Sequence, residues 1–132
     1  MSVLIVEDEA PLAGALASEI GRVHKVVHAL SAQRALALLS ETRFDVVLCD
    51  LRMPGMSGEL LYQRVLERDP AQARTFVFMS GIGFVAEVEQ FLAATGRPVL
   101  HKPFAPSRVL ELISNLHSTR HAKPDAMSVQ ER

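Results

Sequence analysis

The sequence predicts an α/β domain, a doubly wound five-stranded parallel sheet with helices on both faces. Two patterns predict it. Four short apolar runs each end on a polar residue: Val3-Leu4-Ile5-Val6 meets Glu7-Asp8, Val46-Val47-Leu48-Cys49 meets Asp50, Phe76-Val77-Phe78-Met79 meets Ser80-Gly81, and Val99-Leu100-His101 meets Lys102-Pro103. Runs of this length between turn residues read as buried parallel strands. Stretches with apolar residues at helical spacing lie between them, and alternating strand and helix patterns specify a parallel sheet with right-handed crossovers.

The first strand, Val3 to Val6, leads into a helix with Pro11 in its first turn, where proline is tolerated. Its apolar stripe is Leu12, Leu16, Ile20 and Val23. Lys25 to Ala29 is a short, edge-like strand. Ser31 is a good N-cap for a helix whose inner stripe is Ala32, Ala35, Leu36 and Leu39. The strand ending at Asp50 is followed by Met53-Pro54-Gly55-Met56-Ser57-Gly58, a turn by its Pro and Gly content. Leu61, Val65 and Leu66 mark the third helix, which is expected to stop before Pro70.

Thr75 to Met79 is the fourth strand, and Gly81-Ile82-Gly83 a flexible junction. Val85, Val88 and Leu92 mark a fourth helix ending near Gly96. Val99 to His101 is the fifth strand. Pro106 suits a first helical turn, and Val109, Leu112, Ile113 and Leu116 form an i, i+3, i+4, i+7 stripe. The domain is expected over residues 1–117. From 118 to 132 periodicity fades, and the segment reads as a polar tail or the start of a linker.

The composition narrows the function classes. The chain has 132 residues, enough for one domain with a sizeable core. A formal net charge of −1 gives no electrostatic footprint for nucleic acid. No apolar run approaches the ~18 residues of a membrane span. Val3 to Val6 is too short for a signal-peptide core and runs straight into acid. The single cysteine, Cys49, excludes an internal disulfide framework and fits a reducing cytoplasm. Cys49 itself reads as a small buried hydrophobe.

In a parallel sheet the four strand ends share one edge, where open α/β sheets bind ligands. Glu7, Asp8, Asp50, Ser80 and Lys102 therefore converge. Crowded carboxylates repel, and a hard divalent cation removes that penalty. Glu7, Asp8 and Asp50 offer only oxygen, which favours Mg²⁺ or Mn²⁺ over Zn²⁺. The five histidines are scattered and none pairs at ligand spacing. Lys102 can neutralise a phosphate oxygen, and Ser80 can donate to another. A strand-end carboxylate such as Asp50 can be the nucleophile and become an acyl phosphate.

Taken together and in order, V-L-I-V-E-D-E at 3–9, D-L-R-M-P-G-M-S-G at 50–58, F-M-S-G at 78–81 and H-K-P-F at 101–104 resemble the receiver domain of two-component response regulators, over roughly residues 3–117. The resemblance implies a flavodoxin-like sheet of order 2-1-3-4-5. It implies that Asp50 accepts a phosphoryl group from a histidine kinase or phosphotransfer protein. It makes Glu7 and Asp8 Mg²⁺ ligands together with Asp50 and the Arg52 backbone carbonyl. Ser80 contacts the phosphoryl group and Lys102 pairs with it, and the Lys102-Pro103 bond is expected to be cis. The stretch G-R-P-V-L-H-K-P-F is similar to receivers attached to hybrid sensor kinases.

Three positions depart from the family pattern. Glu7 stands where Asp is common. Arg52 puts a long cation beside the acceptor, where it either shields the phosphoryl group or lies in solvent. Val99 occupies the switch position, where many receivers carry Tyr or Phe, and a valine has no ring to reorient. The signal is then expected to leave through Gly81-Ile82-Gly83 and the fourth helix.

Three other readings compete. An aspartyl-phosphate phosphatase of the haloacid-dehalogenase kind wants a second Asp two residues past the nucleophile, and Arg52 stands there. A nucleotide- or flavin-binding module wants a Gly-rich first turn, and Glu7-Asp8-Glu9-Ala10 repels phosphate. An unphosphorylated scaffold has no need of the full residue set. The output is expected to be protein–protein contact through the fourth helix, fifth strand and fifth helix, from a cytoplasmic monomer or weak phosphorylation-dependent dimer. Phe84, Phe91 and Arg97 are candidate contributors, although the two phenylalanines fit the core equally well.

Overall fold

A computed structural model describes residues 1–81 and 86–120. Ile82, Gly83, Phe84 and Val85, and the tail from residue 121, lie outside the described residues. Five parallel strands form one sheet in the order β2-β1-β3-β4-β5, as expected. They are β1 Ser2–Val6, β2 Lys25–Ala29, β3 Val46–Asp50, β4 Phe76–Ser80 and β5 Val99–His101. The helices are α1 Ala10–Ile20, α2 Ala32–Glu41, α3 Gly58–Arg68, α4 Pro70–Ala73, α5 Ala86–Thr95 and α6 Pro106–Arg120.

The two-residue period of the strands separates two cores. Leu4, Val6, Val47, Cys49, Phe76 and Phe78 meet Ala32 and Ala35 of α2, Leu61, Tyr62 and Val65 of α3, and Val88 of α5. Val3, Ile5, Val46, Leu48, Val77 and Met79 meet Leu16 and Ile20 of α1 and Val109 and Ile113 of α6. Each fully buried aliphatic or aromatic side chain contributes about 1.5–3 kcal/mol. The three inner strands are buried along nearly their whole length, which is why they read as unbroken apolar runs. Edge strand β2 exposes Lys25, Val27 and His28 instead.

Local chemistry sets the helix starts. Ser31 Oγ accepts from Arg34 N at 3.1 Å and Ser57 Oγ from Leu60 N at 3.1 Å, capping α2 and α3. Pro11 lies in the first turn of α1. Gly55 follows Pro54 at φ +77°, a left-handed conformation that glycine adopts without strain.

Three expectations need correction. α4 is an additional helix: Pro70 does not only end α3, it opens a turn whose Gln72 N is capped by Asp69 Oδ1 at 3.2 Å. Val23 is not on the α1 stripe. The helix ends at Ile20, and Val23 stands in the following turn, 66% exposed. Leu66 is likewise exposed, because it lies one residue, about a quarter-turn, past the buried Leu61–Val65 line.

Candidate functional site

The C-terminal ends of β1, β3, β4 and β5 form one edge, and the site is built there. Asp50 ends the central strand β3 between β1 and β4. Glu7 follows β1, and its backbone N–H donates to the Ala29 carbonyl at 3.1 Å, extending the ladder past the strand. Glu7 is fully buried, while Asp50 and Ser80 are 5% and 2% exposed. One carboxylate oxygen from each of Glu7, Asp8 and Asp50 lies within 4.8 Å of the others.

Lys102 enters from β5. Its backbone N–H donates to the Ser80 carbonyl at 2.7 Å, and its peptide bond to Pro103 is cis, as expected. Lys102 Nζ donates to Glu7 Oε1 at 2.9 Å and to Asp50 Oδ2 at 3.1 Å. The other Asp50 oxygen accepts from Arg52 N at 3.3 Å. Both acceptor oxygens are thus held in place before any ligand enters.

The backbone around Asp50 is tightly packed. Leu51 N donates to the Met79 carbonyl and Gly58 N to the Leu51 carbonyl, both at 3.1 Å. A Cβ at Gly58 would lie 2.1 Å from the Asp50 carbonyl oxygen and 3.0 Å from Cys49 Sγ. Only glycine lets the start of α3 approach the end of β3 this closely. Cys49 is fully buried, with Sγ 3.3 Å from the Asp50 carbonyl oxygen. Burial first, then the Asp50 and Glu7 charges, hold its thiol well above the usual range, so it behaves as an inert hydrophobe.

Burial dominates the electrostatics of Glu7. It pushes the Glu7 carboxyl up to about 7, against the hydrogen bond from Lys102 and that from Glu9 N, with the Asp50 charge adding to the rise. Burial also disfavours the Lys102 ammonium, but the hydrogen bond to Glu7 and the charge of Asp50 outweigh it, and the net shift is upward. The pocket therefore favours a positive charge among its carboxylates.

The remaining predicted residues lie around this centre. Ser80 Oγ makes a long bond to the Gly81 carbonyl at 3.5 Å, near the limit of hydrogen bonding. Arg52 is exposed and lines a groove of about 560 Å³ with Leu51, Met53, Pro54, Ser57, Glu59 and Val88. Val99 is half-buried, pairs with Phe78 across β4–β5 and packs against the α2–α3–α5 core. Phe91 belongs to that core too, its ring edge-on to Phe78 at 5.4 Å and to Tyr62 at 5.8 Å. Arg97 donates through its guanidinium to the Arg74 carbonyl. Phe84 lies outside the described residues.

Glu9, beyond its place in the acidic first turn, also reaches the site. Glu9 occupies the N-cap position of α1 without a side-chain capping bond, and its Oε1 lies 3.8 Å from Lys102 Nζ. The signal was a glutamate where a short capping residue is usual.

Comparison with known proteins agrees with this geometry. Residues 3–114 match the family described as the response regulator receiver domain. The chain is 30% identical over 116 residues to the hydrogenase transcriptional regulatory protein HoxA of Cupriavidus necator, covering 85% of this chain and 23% of HoxA. It is 38% identical over 113 residues to the response regulator receiver protein Anae109_2439 of an Anaeromyxobacter species, covering 83% of this chain and 45% of that protein. The chain thus spans less than half the length of either relative. Among solved structures, the chemotaxis protein CheY4 of Vibrio cholerae superposes with a TM-score of 0.75 at 26% identity, covering 87% of this chain and 97% of that one.

Proposed function

Because the chain belongs to the response regulator receiver domain family, we propose that Asp50 is the phosphoacceptor through which it carries out phosphoacceptor signalling. Receiver domains work by phosphorylation switching rather than by turnover of a separate substrate, and they interact with histidine kinases or phosphotransfer proteins. The observation that carries the assignment is the Lys102 ammonium held 3.1 Å from Asp50 and 2.9 Å from Glu7.

A carboxylate oxygen of Asp50 attacks the phosphorus of a phosphohistidine on the partner. The P–N bond breaks, its electrons stay on the imidazole nitrogen, and an acyl phosphate forms on Asp50. Lys102 offsets the charge on the transferred group, and the Ser80 hydroxyl donates to one of its oxygens. The all-oxygen donor set fits Mg²⁺, with Mn²⁺ as a substitute. Glu7, Asp8, Asp50 and the Arg52 carbonyl would hold it. When bound, the cation neutralises the crowded carboxylates and the incoming phosphate.

Phosphorylation then shifts an equilibrium between two forms of the α5–β5–α6 face, which contacts a downstream protein. Val99 supplies no ring for this step. The contact of Phe91 with Phe78, two residues before Ser80 on the same strand, supports a route through α5 instead. No helix among the described residues is long and apolar enough to cross a membrane, and we place the domain in the cytoplasm. Phosphotransfer to the intact chain with Mg²⁺, compared with Asp50→Ala, tests the assignment.

A further inference from the structure

We infer that Glu9 is a positioning residue for the phosphoacceptor reaction, an outer counter-charge that competes with the phosphoryl group for Lys102. The inference rests on the reading of Asp50 as phosphoacceptor. Lys102 touches three carboxylates, and they are not equivalent. Those of Glu7 and Asp50 are almost wholly buried, with side chains 0% and 7% exposed, whereas Glu9 is 67% exposed and approaches from the solvent side. An incoming phosphoryl group arrives from that same side.

The local structure explains why Glu9 reaches the lysine. Its N-cap position favours Ser, Thr, Asn or Asp, whose short side chains bond back to the helix. The Glu9 side chain makes no such bond. Its backbone N–H is held by Glu7 Oε2 at 3.1 Å, which fixes where the side chain starts. The extra methylene carries the carboxylate to 3.8 Å from Lys102 Nζ. At that distance it attracts the ammonium outward and repels a phosphate entering beside it. Both effects oppose phosphoryl binding. Both also act through solvent, so they are modest and sensitive to salt.

The test is calorimetric titration of the full chain with beryllofluoride at low ionic strength, with Mg²⁺ saturating for every protein. Glu9→Gln is expected to bind about two- to fivefold more tightly than the wild type. The gain is expected to vanish near 1 M salt, where the Debye length is about 3 Å. Glu9→Asp, which keeps the charge but lacks the methylene that brings it to Lys102, is expected to fall between the wild type and Glu9→Gln. Unchanged or weaker binding by Glu9→Gln, a gain that survives high salt, or binding by Glu9→Asp tighter than by Glu9→Gln overturns the inference. If the wild type itself fails to bind, the phosphoacceptor reading is overturned first.

Discussion

Lys102 Nζ lies 3.1 Å from Asp50 Oδ2, joining residues 52 apart in sequence at the edge shared by β3 and β5. The same ammonium bonds the fully buried Glu7, so a single cation holds two carboxylates that would otherwise repel.

Replacing it should therefore affect both stability and chemistry. Lys102→Met is expected to lower stability by about 1–3 kcal/mol. That is less than the ~3–5 kcal/mol usual for breaking a buried pair, because the Glu7 carboxyl already sits near 7 and takes up a proton readily. Urea unfolding measures this. Beryllofluoride binding by the same variant is expected to weaken strongly.

Glu7 gives the protein a pH signature. Its carboxyl is raised from 4.5 to about 7 on folding, so between those values the folded state holds a proton that the unfolded state has lost. Its contribution to stability is complete below about pH 4.5 and declines as pH rises through about 7. Melting of the metal-free wild type should therefore show a falling component between these limits, missing in Glu7→Gln. Mg²⁺ affinity should change in the opposite sense and rise across this window, since the cation needs the carboxylate.

Gly58→Ala would place a methyl group 2.1 Å from the Asp50 carbonyl oxygen. Backbone must move to admit it, at a cost of about 1–3 kcal/mol. The displaced element carries Asp50, the proposed acceptor, so the rate of phosphorylation by acetyl phosphate should fall as well. A variant that melts lower but reacts at the wild-type rate would show that α3 does not position Asp50.

Much of this site was legible in the sequence because parallel strands deliver their C-terminal residues to one edge. Four apolar runs ending on Glu7, Asp50, Ser80 and Lys102 therefore imply a cluster without coordinates, and the sheet order and cis Lys102-Pro103 bond agree with the family resemblance. Features that depend on side-chain reach or close backbone approach were not legible. Glu9 was visible only as a third acid, and Gly58 only as a turn residue. α4 is four residues long, too short to show a period, and its Pro70 signals a helix end as readily as a start. Val23 and Leu66 follow apolar spacing yet face solvent, since spacing does not reveal where a helix stops or how wide its buried stripe is.

Phe91 tests the route to the surface. Phe91→Leu keeps an apolar side chain in the core but removes the ring contact with Phe78. Its stability cost should stay within about 1.5 kcal/mol. Beryllofluoride should still bind, while the amide chemical-shift changes it induces along α5 shrink relative to the wild type. Undiminished changes would mean that the signal leaves by another path.

The most direct measurement is the intact mass of the chain after incubation with a phosphorylated histidine kinase or acetyl phosphate in Mg²⁺. The wild type is expected to gain one phosphoryl group, labile to hydroxylamine as an acyl phosphate must be, and Asp50→Ala to gain none. A phosphoryl group that persists in Asp50→Ala, or a folded wild type that gains none from either donor, would contradict the assignment of Asp50.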